Sequence, residues 1–210
     1  MVFLLTKNQN LKRFQKNKMG KFENALIKGA FNPFHYGHLS LLKTAKHFSK
    51  ITDIYIGNKK RPHRLPRQLR TSAVEEIIQN LEWNQYFNII DSGTYKDLTL
   101  KKYDLYITGS DLPNVVTKTI SSRGKPIPTE FKNVYSSIPN ILIITRREMP
   151  LTQEAKTILE KQSKIITVSE TSTASGKKIR TAYRRGNDIS TLVTKETWDI
   201  IKDYVTVFKN

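Results

Sequence analysis

From about residue 24 the chain alternates short apolar runs with longer amphipathic stretches. Asn24-Ala-Leu-Ile-Lys28 predicts a short buried strand that runs into Gly29. Residues 38–48 then carry Leu39, Leu41, Leu42, Ala45 and Phe48 at close to helical spacing. Ile51 to Ile56 predicts a second strand, ended by Gly57-Asn58, and residues 58–67 form a basic, Pro-containing loop. Gln68 to Leu81 predicts a helix with Val74, Ile77, Ile78 and Leu81 on one face. Further strands are predicted at 86–90, 103–108, 140–145 and 164–168, with a helix at 151–161. Residues 112–138 are poorly periodic and read mostly as loop. Two helices, about 176–185 and 194–206, close the chain. This alternation predicts an α/β fold with a doubly wound, mostly parallel sheet. Ligands of such sheets sit beyond the carboxyl ends of the strands, so residues with chemistry to perform should follow strands.

Composition narrows the function classes. With no cysteine, a disulfide framework, thiol catalysis and Cys-ligated metal are excluded. The four histidines include no His-x-x-x-His pair, which argues against structural zinc. The longest aliphatic run in the interior, Ile141-Leu-Ile-Ile144, is far short of the ~18 apolar residues of a membrane span. Thirty-six basic against eighteen acidic residues give a net charge of +18. That charge fits a polyanionic ligand such as nucleotide phosphates, nucleic acid or an acidic membrane surface. It equally fits a chain rich throughout in Lys, Asn and Ile. Residues 1–22 hold six basic residues and no acid. They read as a basic extension, disordered or locally packed, before a domain over 23–210. Met1-Val-Phe-Leu-Leu5 is too short for a signal-peptide apolar region of ~7–15 residues, which points to the cytoplasm, although an acid-free basic start is also what an organelle transit peptide carries.

The residues that could perform chemistry do follow the predicted strands. Gly29-Ala-Phe-Asn-Pro-Phe-His-Tyr-Gly-His38 comes directly after the first strand. Gly29 frees the backbone to turn, Asn32-Pro33 is turn chemistry, and His35 and His38 bracket the start of a helix. Backbone N–H groups at such a start favour phosphate oxygens, and two imidazoles add donors. The basic loop Lys59-Lys-Arg-Pro-His-Arg64 follows the second strand, with Arg70 a little beyond it. Such a loop can hold two anionic substrates together. Thr108-Gly-Ser-Asp111 ends the fourth strand, where Gly109 allows close backbone approach and Asp111 can accept from hydroxyls. An apolar strand ends at Arg146. Thr173-Ala-Ser-Gly-Lys-Lys-Ile-Arg180 opens a helix, where Ser175 and the N–H groups of Gly176 and Lys177 can form an anion nest with Arg180 one turn on.

The first of these segments resembles the Gly-x-Phe-Asp/Asn-Pro-x-His-x-Gly-His element of the nucleotidylyltransferase superfamily. Within it, residues 24–210 are most similar to nicotinate/nicotinamide mononucleotide adenylyltransferases. Four further segments resemble family elements in the expected order. Pro62-His63-Arg64 is similar to a Pro-His-Lys element, Gly109-Ser-Asp111 to Gly-Ala/Ser-Asp, residues 140–146 to an apolar strand ending in arginine, and residues 173–180 to Ile-Ser-x-Thr-x-Ile-Arg. The resemblance implies a Rossmann-like nucleotidylyltransferase fold and a direct transfer. A mononucleotide phosphate attacks the α-phosphorus of ATP, and pyrophosphate leaves without a covalent enzyme intermediate. It implies Mg²⁺ brought with ATP, and as partners ATP and a pyridine mononucleotide rather than a membrane or nucleic acid.

By the same resemblance, His35, His38 and Arg180 are catalytic. Gly29, Ala30, Phe31, Asn32, His35, His38, Gly109, Asp111, Ser175, Gly176 and Arg180 bind ATP. Lys60, His63, Arg64, Arg70 and Arg146 bind the acceptor. The sequence departs from the family pattern in three places. Residues 112–138 lack the family's Trp-x-Arg, no Ser-Tyr-Thr element precedes the fourth strand, and Asn32 stands where many members carry aspartate. The alternatives are another phosphorylated acceptor (phosphopantetheine, glycerol or choline phosphate) and a non-catalytic basic protein binding nucleotide or RNA.

Overall fold

The computed structural model describes residues 4–5, 21–58, 64–90, 99–111, 113–114, 137–146, 150–161, 163–170 and 174–209. Among the described residues seven strands form one sheet in which every neighbouring pair is parallel. They are β1 (Leu4–Leu5), β2 (Phe22–Gly29), β3 (Ser49–Ile56), β4 (Phe87–Ile90), β5 (Leu105–Gly109), β6 (Asn140–Arg146) and β7 (Lys164–Glu170). The helices are α1 (Tyr36–Phe48), α2 (Arg67–Asn80), α3 (Gln153–Glu160), α4 (Gly176–Arg184) and α5 (Lys195–Ile201). All six predicted strands are present within a residue or two of their expected bounds, and the sheet is parallel throughout. Among the described residues no helix is long and apolar enough to cross a membrane.

The sheet order is β1-β7-β6-β5-β2-β3-β4. From β2 the chain winds outward through β3 to β4, then returns to β5 on the other side of β2 and winds outward again. The carboxyl ends of β2 and β5 therefore flank the switch point, where doubly wound sheets bind ligands. Ile27 pairs with Ile107, so Gly29 and Gly109 close the two central strands side by side.

Alternation along the central strands explains why the sheet is buried on both faces. Ala25, Ile27, Ile54, Ile56, Leu105, Ile107, Leu142 and Ile144 pack on one face with Leu42, Ala45 and Phe48 of α1 and Val74, Ile77 and Ile78 of α2. Leu26, Tyr55, Tyr106, Ile141, Ile143 and Ile165 pack on the other with Leu159 of α3. These near-continuous apolar runs are what a two-sided parallel sheet requires. A third cluster gathers Leu65, Ile179, Ile189, Val193, Ile201, Val205 and Phe208 where α5 packs on α2.

Two features differ from expectation. Leu4 and Leu5 pair with Thr167 and Val168, so part of the segment read as an extension adds an edge strand. The helix expected over 194–206 stops at Ile201, and a 3₁₀ turn over Val205–Lys209 follows. The turn carries Val205 and Phe208 into the third cluster, burial that a straight helix continuing from Ile201 would forgo.

Candidate active site

The turn after β2 is tightly built. Phe31 has a left-handed backbone (φ 48) and the Asn32-Pro33 peptide is cis. A left-handed phenylalanine costs on the order of 1–3 kcal/mol and persists only where packing over-determines it. Here the ring is 1% exposed and lies under Gly29, where an added Cβ would come within 2.6 Å of Phe31 Cε2. The same ring packs against Phe34 at 6.1 Å and His38 at 4.7 Å between centroids.

His35 is the N-cap of α1, and its Nδ1 accepts from the Gly37 N–H at 3.1 Å. In the neutral imidazole this places the proton on Nε2, leaving that atom as a donor. The rings of His35 and His38 stack at 3.8 Å, so the two imidazoles act at one place. The first turn of α1 holds no acidic residue. Its positive end is not answered by a carboxylate of its own helix.

The start of α4 meets the same turn. Ser175 caps α4 by accepting from the Lys178 N–H, and no acid lies in the first turn. An added Cβ on Gly37 would come within 2.9 Å of the Ala174 carbonyl, and one on Gly176 within 2.9 Å of both Asn32 O and Arg180 Nη1. The two helix starts are thus in contact through the turn, and both glycines are required by close approach. Arg180 donates from Nη1 to the Asn32 carbonyl at 2.6 Å.

A cluster of arginines surrounds this junction. Burial, then Arg184 and Arg64, hold the Arg180 guanidinium below its ordinary pKa. Burial, then Arg64 and Arg67, push Arg70 down to about 10. Arg64, Arg67 and Arg184 thus lie near enough to disfavour the charge of Arg70 or Arg180, a concentration of positive charge that a polyphosphate would relieve. Across the switch point, Asp111 is exposed just beyond β5, and an added Cβ on Gly109 would lie 2.6 Å from its Oδ1. Ser110 N–H donates to Ile144 O at 3.0 Å, fixing that strand end.

Gly29, Ala30, Phe31, Asn32, His35, His38, Ser175, Gly176 and Arg180 therefore come together, with Gly109 and Asp111 facing them at the neighbouring strand end. One expected role differs. Arg70 is only 2% exposed and donates to three backbone carbonyls, Leu65 O, Ala30 O and Gly57 O, so its guanidinium braces the protein instead of facing an acceptor. Asn32 is buried, and its Oδ1 accepts from the Leu65 N–H at 2.9 Å. Aspartate would offer the same acceptor oxygen, so asparagine replaces it there at no loss of that bond. Lys60, His63 and the segment 115–136 lie outside the described residues, as does the Arg146 side chain.

Arg67 and Arg184, three and four residues from Arg70 and Arg180, are not among the expected site residues, and backbone holds both: Arg67 Nη2 donates to Ile90 O at 3.2 Å and Arg184 Nε to Phe208 O at 2.7 Å. Residues three or four apart share a helix face. A cavity of about 450 Å³ lined by Glu160, Ser163, Lys164 and Ile165 lies at the amino end of β7 and contains none of these groups.

Two stacked histidines and buried arginines at the switch point of a doubly wound parallel sheet mark an α/β protein that carries a His-x-Gly-His element. A family model described as cytidylyltransferase-like matches residues 26–196, and the chain belongs to that family of nucleotidyltransferases. No curated protein matches the sequence. Among solved structures, Plasmodium falciparum nicotinic acid mononucleotide adenylyltransferase complexed with APC has a TM-score of 0.66 at 18% identity, covering 90% of this chain and 98% of that one. The same enzyme complexed with NaAD has a TM-score of 0.64 at 19% identity, again covering 90% and 98%. At that identity the likeness speaks for the fold.

Proposed function

We propose that the protein transfers the adenylyl group of ATP to nicotinate or nicotinamide mononucleotide, forming the dinucleotide and pyrophosphate. The observation that carries this reading is the junction itself: stacked His35 and His38 at one helix start, Ser175 and Gly176 at another, and Arg180 tied between them. An oxygen of the mononucleotide phosphate attacks the α-phosphorus, the bond to the β-bridging oxygen breaks, and pyrophosphate leaves with the electron pair. The nucleophile is already an anion, so no general base is required. The work left is positioning and stabilising charge on the phosphoryl oxygens.

In this reading His35 Nε2–H and His38 donate to the phosphates, and Arg180 with the α4 N–H groups holds the leaving pyrophosphate. Asp111 accepts from ribose hydroxyls. Lys60, His63, Arg64 and Arg146 are assigned to the acceptor phosphate. The donors at the junction are imidazoles and guanidiniums, which suit phosphate oxygens better than a divalent cation. Mg²⁺ is accordingly assigned to the ATP it travels with, where it would neutralise phosphate charge. The neighbour complexed with NaAD supports the pyridine acceptor.

The family description favours a second reading, cytidylyl transfer from CTP to a small phosphorylated alcohol. The experiment is pyrophosphate release from ATP-Mg²⁺ with nicotinate mononucleotide, nicotinamide mononucleotide or phosphopantetheine, and from CTP-Mg²⁺ with glycerol or choline phosphate. His35→Ala is the control. Release with either pyridine mononucleotide, lost in the variant, supports the first reading. Release only with CTP replaces it with the second. Nucleotide binding without release in any arm leaves a non-catalytic binder.

A further inference from the structure

We propose that Arg70 is a positioning residue which, with Asn32, clamps the chain at Leu65 to the turn after β2, so that Arg180 meets the ATP phosphates and Arg64 the acceptor phosphate from one frame. The proposal rests on the nucleotidyl-transfer reading and adds to it the part that holds the phosphate-facing cations in register.

The starting observation is an arginine in the wrong company. Arg70, Ala73, Val74, Ile77 and Ile78 are the buried residues of α2, spaced as one apolar stripe. A guanidinium in that stripe needs its donors met, because a buried cation without partners is strongly unfavourable. All three nitrogens are met, by carbonyls from three different segments. Nη1 donates to Ala30 at the end of β2 at 2.6 Å, Nη2 to Gly57 beyond β3 at 3.0 Å, and Nε to Leu65 before α2 at 3.0 Å. Only a planar fork spans three such acceptors at once; the compact ammonium of lysine does not.

Leu65 is where the clamp closes. Its carbonyl accepts from Arg70, its N–H donates to Asn32 Oδ1 at 2.9 Å, and its side chain is buried in the cluster that holds Ile179. Asn32 in turn offers its own carbonyl to Arg180, the residue after Ile179. Arg64 immediately precedes Leu65 and is close enough to depress the pKa of both Arg70 and Arg180. The mutual repulsion of these cations opposes their being held together, and the Arg70–Leu65–Asn32–Arg180 chain is what opposes that repulsion.

The test uses the full chain and reads the clamp with and without turnover. Arg70→Lys keeps the charge and loses the fork. Asn32→Leu loses the acceptor oxygen, and Asn32→Asp keeps it. Amide exchange of Leu65 should quicken at least about tenfold in Arg70→Lys and Asn32→Leu, while the Val74 and Ile77 amides in the middle of α2 keep their protection. The dissociation constant for ATP should weaken about tenfold in both, and the double variant should lose less than the product of the two. With the acceptor present, KM for ATP should move more than kcat. Asn32→Asp should keep Leu65 protected.

A fall in melting temperature with unchanged ATP affinity would reduce Arg70 to a stabilising residue and overturn the proposal. Unchanged Leu65 exchange in Arg70→Lys would overturn it as well. Exchange and ATP affinity are measured without acceptor, so a parent protein that binds ATP but releases no pyrophosphate counts against the acceptor reading alone.

Discussion

Helices α1 and α4 begin differently from α3 and α5. Thr152 caps α3 by accepting from the Ala155 N–H, and Glu154 lies in its first turn. Thr194 caps α5 by accepting from the Thr197 N–H, and Glu196 lies in its first turn. Each of those helices answers its own positive end with a hydroxyl and a carboxylate, which is the ordinary arrangement. The first turns of α1 and α4 have no acid, and their caps are His35 and Ser175. These two starts abut one another beneath a group of arginines. The difference teaches where the positive end of a helix is left without a carboxylate of its own, a feature α2 shares.

The largest way to break this contrast is to remove one of the proposed phosphate donors, His35 or His38. Replacing His35 or His38 by alanine should lower turnover about 10²–10³-fold, the usual effect of losing one preorganised donor to a developing charge. Pyrophosphate release under saturating ATP measures it. An unaltered rate in either variant would mean that the stacked pair serves α1 alone.

A smaller effect follows from giving α4 the acid that α3 and α5 already have. Lys177 is exposed in the first turn of α4. Lys177→Glu should stabilise the helix by about 0.3–1 kcal/mol yet raise KM for ATP about tenfold. Opposite signs in thermal melting and in KM are the mark of an end reserved for an anion. Loss of the ordinary cap is the counterpart. Thr194 is 5% exposed and also bonds Thr197 Oγ1 at 2.9 Å, so Thr194→Ala should cost about 1–2 kcal/mol in urea unfolding with KM for ATP unchanged.

The amino side of the strands supplies a further contrast, a charge that the protein answers internally. Burial pushes the Asp53 carboxyl up, but hydrogen bonds from Lys102, Tyr103 and Asn88 outweigh it and hold its pKa below 3.8. Its contribution is therefore complete above pH 3.8 and is lost as pH falls through the folded value. Asp53→Asn should flatten the acid side of the stability profile, followed as the urea midpoint between about pH 6 and pH 2. A parallel fall in parent and variant would place the acid sensitivity elsewhere.

Much of this was legible in the order of residues. The strand–glycine–helix setting of His35 and His38, the glycine and aspartate after β5, and the serine and arginine that open α4 all depend on contacts a few residues apart. Period and spacing report such contacts directly. The bonds of Arg70 and Asn32 are not legible there for the opposite reason. Both stand in polar, site-like stretches of sequence, and only their burial shows that carbonyl groups and an amide have already claimed them. Leu4 and Leu5 carry too short a pattern to announce a strand, and their partner is β7 near the other end of the chain.

The amino-acid order alone determined most of the element types and the parallel α/β class, because both are written in local periodicity. Folding determined the sheet order, the contact of Asn32 with Arg180 across 148 positions, and the conversion of one arginine from a ligand candidate into a brace. Those outcomes depend on which crossovers pack where, and burial decides whether a polar side chain is spent on the backbone or left facing the crevice.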